Sequence, residues 1–204
     1  MVSPVTLSSK LNNLKNNYYV MRHGESLANV HGLIVSQPEN GLKSYGLSKT
    51  GRRQIKAGIE NSSLVASTRI IASDFKRTHE TAILVHHLLA CEHNLELDSR
   101  LRERNFGEFE LGPDDGYGKV WAHDQLNSET EYLGVETASS VLQRSTAVIA
   151  DLEQRFTNQQ CLLVAHGDIL QILQTAFSEL APFRHRELTH LDTAELRLLN
   201  NTQL

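Results

Sequence analysis

The chain has 204 residues, of which 40% are hydrophobic and 22% are charged, a composition typical of a globular domain with a full hydrophobic core. The formal net charge of −4 argues against general binding to nucleic acid or to anionic membranes, because both require a basic surface. No run approaches the roughly 18 apolar residues of a membrane span, and residues 1–16 lack the apolar centre of a signal peptide. Two cysteines in a chain of this size favour a reducing compartment, so we expect a cytoplasmic protein.

Strands are predicted after a polar N-terminal extension that covers about residues 1–16. Four short apolar runs have the length and composition of buried strands. These runs are Tyr18–Met21, Arg69–Ala72, Leu162–Ala165 and Ala194–Leu199.

Helical patterns lie between these strands. One helix is expected to begin with Thr50 as its N-cap, and a second to cover Asp74–Ala90 with Ser73 as a candidate cap. Two more are expected over Thr137–Phe156 and Asp168–Leu180, the last capped by Asp168 itself. Strands that alternate with helices predict an α/β fold, here a three-layer α/β/α sandwich with a mainly parallel central sheet.

One segment interrupts this alternation. Residues 107–134 contain most of the mid-chain glycines and one proline, so the segment is predicted to be an irregular insert or lid. From Glu108 to Glu136 the chain has eight acidic residues and a single basic residue, Lys119.

Cationic side chains and histidines follow three of the predicted strands. Arg22, His23 and Gly24 follow the first, Arg77 lies in the first helical turn after the second, and His166-Gly167-Asp168 follows the third. The carboxyl ends of parallel strands share one edge of a sheet, where ligands bind, and helix N-termini at this edge favour anions. Two arginines and two histidines at one edge predict a phosphate site, and glycines such as Gly167 allow close approach to the ligand.

Five ordered segments carry a resemblance to a known family: RHGESLAN, LSKTGRRQI, SDFKRTHETA, LRERNFGEFE and VAHGD. In this order the chain resembles the histidine phosphatase superfamily, which includes cofactor-dependent phosphoglycerate mutases and many small-molecule phosphatases. The resemblance implies a phosphoglycerate mutase-like fold that forms a single domain over residues 1–204.

The resemblance also implies a role for each matching residue. His23 would be the nucleophile that forms a phosphohistidine, and Arg22 and Arg77 would bind the phosphoryl oxygens. His166 would donate to the same oxygens beside Gly167, and Asn29 would be a neutral donor. Glu103 matches the acid that protonates the leaving group, with Glu108 and Glu110 as weaker candidates.

Structural interpretations of these residues stay open at this point. His23 could be a buried histidine with ordinary hydrogen-bond partners, and Glu103 could be a salt-bridge partner of Arg100, Arg102 or Arg104. Ten histidines raise the question of metal, but no motif with metal-ligand spacing occurs. Arginines and histidines can neutralise a phosphate unaided, so we expect neither a metal nor a cofactor.

The favoured reaction is hydrolysis of a small-molecule phosphate monoester with a neutral or cationic remainder. A cofactor-dependent mutase is less favoured for two reasons. The resemblance implies a longer segment between the acid and the second histidine in such mutases than the one between Glu103 and His166 here. The acidic residues of this segment would also repel a multiply charged acid. A phosphoprotein phosphatase and a non-catalytic phosphate-binding domain are the remaining alternatives. The sequence does not distinguish a monomer from a homodimer.

Overall fold

A five-stranded sheet forms the centre of the computed structural model, which describes residues 11, 13–126 and 130–200. The strands are β1 (Asn17–Arg22), β2 (Arg69–Ala72), β3 (Glu96–Leu97), β4 (Gln160–Ala165) and β5 (Leu196–Leu198). Their order across the sheet is β3-β2-β4-β1-β5. The first four run parallel and β5 pairs with β1 in the antiparallel direction, so the predicted mainly parallel sheet is confirmed.

Helices connect the strands along the described part of the chain. They are α1 (Leu27–Val30), α2 (Pro38–Gly41), α3 (Lys49–Glu60), α4 (Lys76–Leu88), α5 (Gly116–Leu126), α6 (Ala138–Arg155) and α7 (Gly167–Thr175). Short 3₁₀ helices cover Ser99–Leu101, Gly107–Phe109 and Pro182–Glu187. No helix among the described residues is long and apolar enough to cross a membrane.

Both faces of the sheet are covered by helices, as the alternation of side chains along β4 demonstrates. Cys161 and Leu163 belong to a buried cluster that includes apolar residues of α6 and α7. Leu162 and Val164 belong to a second cluster, with apolar residues of α3 and α4. Because successive residues of a strand point to opposite faces, a strand with two buried faces reads as a continuous apolar run. The three-layer α/β/α sandwich is therefore confirmed.

The segment 107–134 contains a regular helix, α5, where the sequence predicts irregular structure. Tyr117, Val120, Trp121 and Asp124 lie at helical spacing along it, and Val120 joins a small cluster with Phe106. The pattern is hard to recognise because one of these four positions is a buried aspartate. Gly116 and Gly118 also lower the intrinsic helix propensity of the segment.

Two helices begin at different residues from those predicted. The N-cap of α3 is Ser48, whose hydroxyl accepts from the backbone N–H of Gly51 at 3.0 Å, and Thr50 already lies inside the helix. Ser73 does not cap α4, which begins at Lys76 after a turn. The Ser73 hydroxyl instead lies 2.9 Å from the His166 ring, so this side chain is used at the sheet edge.

The last helix also differs from its prediction. Its N-cap residue is His166 and it ends at Thr175, five residues before the predicted end at Leu180. Asp168 lies in the first turn, where its carboxylate accepts from Trp121 and Arg104 rather than capping the helix. These partners are far away in sequence, which explains why local capping rules assign Asp168 the wrong role.

The residues that precede β1 and the edge strand β3 add detail that the sequence did not predict. The predicted extension 1–16 lies mostly outside the described residues, but Leu14 is buried, and the Asn16 amide donates to Glu153 at 2.7 Å. The edge strand β3 has two residues, Glu96 and Leu97, and is too short for a periodic signal.

Candidate active site

The three strand ends that carry the unusual residues are neighbours in the sheet. β4 lies between β1 and β2, and all three strands run in the same direction. The residues that follow them therefore lie at one edge, where the side chains of His23, Arg77 and His166 contact one another. We call this group, together with Arg22, the cationic cup.

The His23 side chain is held as a neutral imidazole whose Nε2 lone pair faces Arg77. Its Nδ1 lies 2.8 Å from the carbonyl oxygen of Gly24, and because a carbonyl can only accept, Nδ1 carries the proton. Nε2 is therefore unprotonated. Burial lowers the pKa of His23 well below its usual value, and the charges of Arg77 and Arg22 lower it further.

Arg77 lies between the two histidines. Its Nε lies 3.1 Å from His23 Nε2 and 3.1 Å from His166 Nδ1, and its Nη2 donates to the Val35 carbonyl at 2.8 Å. Arg77 as a whole is 4% exposed, and burial lowers the pKa of its guanidinium. No described atom accepts from the buried Nη1.

His166 is fully buried on the other side of Arg77. Since an arginine can only donate, Nδ1 of His166 accepts, and its Nε2–H donates to the Ser73 hydroxyl at 2.9 Å. Burial lowers the pKa of His166 well below its usual value, and the Arg77 charge adds to this effect. The ring centroids of His23 and His166 are 5.3 Å apart.

Arg22 is positioned by the C-terminal part of the chain. Its Nη1 lies 2.8 Å from Nε2 of His190 and donates to the Leu191 carbonyl at 2.9 Å. A Cβ on Gly167 would lie 3.4 Å from the Arg22 guanidinium carbon and 3.1 Å from His190, so this position favours glycine. The sequence offers no signal for His190, because no motif surrounds it.

Two buried donors of the cup have no partner among the described residues, namely Arg22 Nε and Arg77 Nη1. Neither arginine forms a salt bridge with a described carboxylate, although buried charges are normally paired. Arg69 Nε is also without a partner, but that guanidinium lies over the Phe156 ring, 3.8 Å from its centroid. What distinguishes the cup is the convergence of two such cations, which favours an anionic ligand.

Glu103 is a buried carboxyl group with a raised pKa. It is 7% exposed, and its Oε1 accepts from the backbone N–H groups of Arg104 and Ile169 at 3.0 and 3.3 Å. Burial raises its pKa, and the nearby negative charge of Asp168 raises it further, whereas Arg77 and the two N–H donors lower it. A carboxyl group of this kind can hold a proton closer to neutral pH than an exposed one.

The alternative role of Glu103 as a salt-bridge partner is not what the structure shows. Each of the three neighbouring arginines pairs with aspartates instead: Arg100 with Asp98 and Asp151, Arg102 with Asp74, and Arg104 with Asp124 and Asp168.

The remaining predicted site residues have local contacts. Glu110 accepts from the Ser36 backbone and hydroxyl, each at 2.7 Å, while Glu108 is exposed on a 3₁₀ helix. Asn29 is exposed, and its side-chain oxygen accepts from the Ser26 backbone N–H at 3.0 Å in the capping box of α1. No contact between Asn29 and the cup is present among the described residues.

Several acidic side chains of the 108–136 segment are already paired. Asp124 forms a bidentate pair with Arg104 at 2.6 and 2.7 Å, and Glu136 pairs with Arg144 at 2.8 Å. With the Glu110 contacts, three of the seven described carboxylates of this segment accept from protein donors. Because these carboxylates have protein partners, the segment repels a multiply charged substrate less than its sequence indicates.

No group of three or more His, Cys, Asp or Glu side chains in the described ranges could hold a metal ion.

Comparison with known proteins gives matches over most of the chain. The sequence model described as "Histidine phosphatase superfamily (branch 1)" matches residues 18–203. A curated relative from Salmonella paratyphi A, a probable phosphoglycerate mutase GpmB, is 29% identical and covers 83% of this chain and 78% of its own length.

Solved structures share the fold at lower identity. A mycobacterial glucosyl-3-phosphoglycerate phosphatase superposes with a TM-score of 0.70 at 22% identity, over 89% of this chain and 96% of that one. A putative alpha-ribazole-5'-P phosphatase from Escherichia coli gives 0.70 at 20% identity, over 88% of each chain. Likeness at this identity extends to the fold alone.

Proposed function

The chain belongs to the histidine phosphatase superfamily, branch 1, and on this premise we propose that it hydrolyses a small-molecule phosphate monoester through a phosphohistidine intermediate on His23. The observation that carries the proposal is the unprotonated Nε2 of a buried His23 beside the unpaired guanidinium of Arg77. A neutral imidazole next to unpaired cations is suited to attack on a bound phosphate.

In the first step, His23 Nε2 attacks phosphorus and the bond from phosphorus to the ester oxygen breaks. Without substrate, the lone pair of Nε2 accepts from Arg77 Nε. A bound phosphate would draw the guanidinium to its own oxygens, which frees Nε2 and gives the buried donors of Arg22 and Arg77 their missing acceptors.

His166 assists once the phosphate is bound. Its Nδ1 faces Arg77 as an acceptor in the substrate-free state, so it must gain a proton before it can donate to a phosphoryl oxygen. A dianion beside the ring favours that protonated form, because an opposite charge raises the pKa of a histidine.

Glu103 supplies the proton to the leaving alkoxide. The raised pKa of this buried carboxyl group supports the role of general acid. In the second step the resulting carboxylate takes a proton from water, the water oxygen attacks phosphorus, and the bond from phosphorus to Nε2 breaks. Inorganic phosphate leaves, and both His23 and Glu103 return to their starting states.

Phosphoglycerate mutase is the second candidate activity. The curated relatives carry that name, and the paired acidic residues at Asp124 and Glu136 reduce the electrostatic objection to an acidic substrate. Hydrolysis is preferred because the segment between Glu103 and His166 is shorter than the one that the family resemblance implies for a cofactor-dependent mutase. A non-catalytic phosphate-binding role is less favoured, since no residue of the predicted catalytic set is missing.

The test is to assay a panel of phosphate esters, including 3-phosphoglycerate, with and without a chelator. We expect release of phosphate by the wild type with no loss in chelator, and a phosphoenzyme label that is stable in base and labile in acid. His23→Ala should lose the label and about 10⁴-fold or more of the turnover, since it removes the nucleophile. His87→Ala, at an exposed histidine on α4, is the matched control and should retain both.

Three results would contradict the proposal. They are turnover that survives in His23→Ala, activity that disappears with the chelator, and mutase activity that exceeds phosphate release on 3-phosphoglycerate.

A further inference from the structure

A buried cluster of charged and polar groups lies next to Glu103. Arg104 is 1% exposed and forms a bidentate pair with Asp124 of α5, and its Nη1 also lies 3.2 Å from Asp168 Oδ2. Asp168 Oδ1 accepts from Trp121 Nε1 at 2.8 Å and lies 3.5 Å from His185 Nε2. The cluster therefore joins the Glu103 loop to α5, to the start of α7 and to a 3₁₀ helix.

The cluster is connected to Glu103 in a closed ring. The two backbone N–H groups that bind the Glu103 carboxyl belong to Arg104 and Ile169. Arg104 follows Glu103 directly, Ile169 follows Asp168 directly, and the Arg104–Asp168 ion pair closes the ring. The ion pair therefore links the two chain segments that carry these N–H donors.

We propose that Asp168 is a positioning residue for Glu103: its buried carboxylate, through the Arg104 ion pair, fixes the two backbone N–H donors that hold the Glu103 carboxyl in place for the leaving group. This inference rests on the role of Glu103 in the proposed function. The cup does not need Asp168 for phosphate binding, because no contact joins Asp168 to Arg77 or His23 among the described residues.

The charges around both carboxyl groups agree with this arrangement. The charges of Asp168 on α7 and Arg77 on α4 act on the pKa of Glu103. Tyr117 of α5 also faces this carboxyl group, whose charge raises the pKa of Tyr117, and Arg144 of α6 donates to the Glu103 backbone carbonyl at 3.2 Å. Asp168 is the negative group among these that raises the pKa of Glu103.

Asp168 itself remains ionised in this surrounding. The groups that act on it are His185, Arg104 and Trp121, and its charge in turn acts on Arg186 and His190 of the C-terminal segment. Its pKa lies far below the usual value, because the His185 and Arg104 interactions outweigh the effect of burial. The negative charge beside Glu103 is therefore present throughout the working pH range.

Asp168→Asn tests the proposal, and Asp124→Asn is its matched control. Each variant removes one carboxylate from the same arginine and leaves the other in place, so Arg104 keeps one carboxylate partner in both. The negative charge of Asp168 raises the pKa of Glu103, and Asp124→Asn leaves that charge in place.

The first measurement is the pH dependence of kcat/KM with an alkyl phosphate. A general acid must be protonated, so activity falls as the pH rises through the pKa of Glu103. Loss of a neighbouring negative charge lowers that pKa, so the basic limb of Asp168→Asn should move down by about one pH unit. In Asp124→Asn the limb should stay within about 0.3 units of the wild type, since the Asp168 charge that raises the pKa of Glu103 is kept.

The second measurement compares leaving groups. A nitrophenolate leaves without a proton, so Asp168→Asn should lose about tenfold in kcat with an alkyl phosphate and much less with 4-nitrophenyl phosphate. A merely structural defect would reduce both rates alike. Equal losses, or a basic limb that does not move, would overturn the inference.

Glu103→Gln separates this inference from the proposed function. If this variant turns over alkyl phosphates at the wild-type rate, the assignment of Glu103 as the acid fails and the inference falls with it. If Glu103→Gln is inactive on alkyl phosphates but the Asp168→Asn profile matches the wild type, only the positioning role of Asp168 fails.

Trp121→Phe keeps the test decisive if Asp168→Asn does not fold. It removes one hydrogen bond from Asp168 Oδ1 and keeps an aromatic ring in place. Because Asp168 loses one of its donors, we expect turnover of the alkyl phosphate to fall about threefold relative to turnover of 4-nitrophenyl phosphate. An unchanged ratio would count against the proposal.

Discussion

Two buried arginines of this protein differ in what surrounds them. Arg77 contacts two neutral histidines and one carbonyl and has no carboxylate partner among the described residues. Arg104 has a bidentate pair with Asp124 and a further contact with Asp168. A buried cation is stable when it is paired, so an unpaired one indicates a position reserved for a ligand. The comparison supports a structural role for Arg104 and the proposed substrate-binding role of Arg77.

The largest effect on stability is expected from Arg104→Met. This change leaves the buried carboxylates of Asp124 and Asp168 without their shared cation, which should lower the free energy of unfolding by about 3–5 kcal/mol. Urea denaturation at pH 7.5 measures it.

Arg102→Met is the control for that prediction. Its pair with Asp74 is partly exposed, with side-chain exposures of 29% and 22%, so its loss should cost less than about 1 kcal/mol. Equal losses in the two variants would mean that burial of the Arg104 pair contributes little.

Arg77→Met should reduce activity strongly and change stability little. We expect kcat/KM to fall by about 10²–10³-fold, because a preorganised donor to the phosphoryl oxygens is lost. The free energy of unfolding should stay within about 1 kcal/mol of the wild type, since removal of an unpaired buried cation offsets the lost hydrogen bonds.

Binding of inorganic phosphate gives a separate test of the role of Arg77. A ligand that binds only the folded state stabilises it by about 2.7 kcal/mol at one hundred times its dissociation constant. We expect such stabilisation in the wild type and in Arg102→Met, and a much smaller effect in Arg77→Met. If Arg77→Met is destabilised as strongly as Arg104→Met, the distinction between the two arginines is wrong.

The sequence predicts the sheet and the place of the cup well, and the family assignment from ordered motifs is confirmed. Short apolar runs such as Arg69–Ala72 and Leu162–Ala165 are recognisable because β2 and β4 are buried on both faces. The residues that follow such strands are then placed at one edge by topology alone. The fold class and the position of the candidate site can therefore be predicted from the sequence before any side-chain contact is known.

Partners that come from distant segments are what the sequence does not reveal. Asp168 reads locally as a helix cap, but Trp121 and Arg104 hold its carboxylate inside the molecule. His190 contacts Arg22 from a loop without a motif, and Asp124 occupies an inward position of α5 that a polarity pattern assigns to the surface. Local propensity cannot encode these contacts, because each depends on the assembled tertiary structure.

The dependence of stability on pH tests whether the cup histidines stay neutral when buried. The folded-state pKa values of His23 and His166 lie below the unfolded value of about 6.5, so below that pH the unfolded chain binds more protons. The free energy of unfolding should therefore fall as the pH is lowered from about 6.5, by up to about 1.4 kcal/mol per pH unit for each histidine. Urea denaturation between pH 7.5 and 5 measures this slope.

Two variants separate the contributions to this slope. His23→Asn combined with His166→Asn should make it shallower, because two groups that resist protonation are gone while His190, whose pKa burial also lowers, remains. Glu103 acts in the opposite sense: its raised pKa means that the folded state binds more protons between the unfolded value and the folded one, which adds stability as the pH falls through that window. Glu103→Gln should therefore make the slope steeper, whereas a slope that none of the variants changes would mean that the cup histidines bind protons in the folded state as readily as in the unfolded chain.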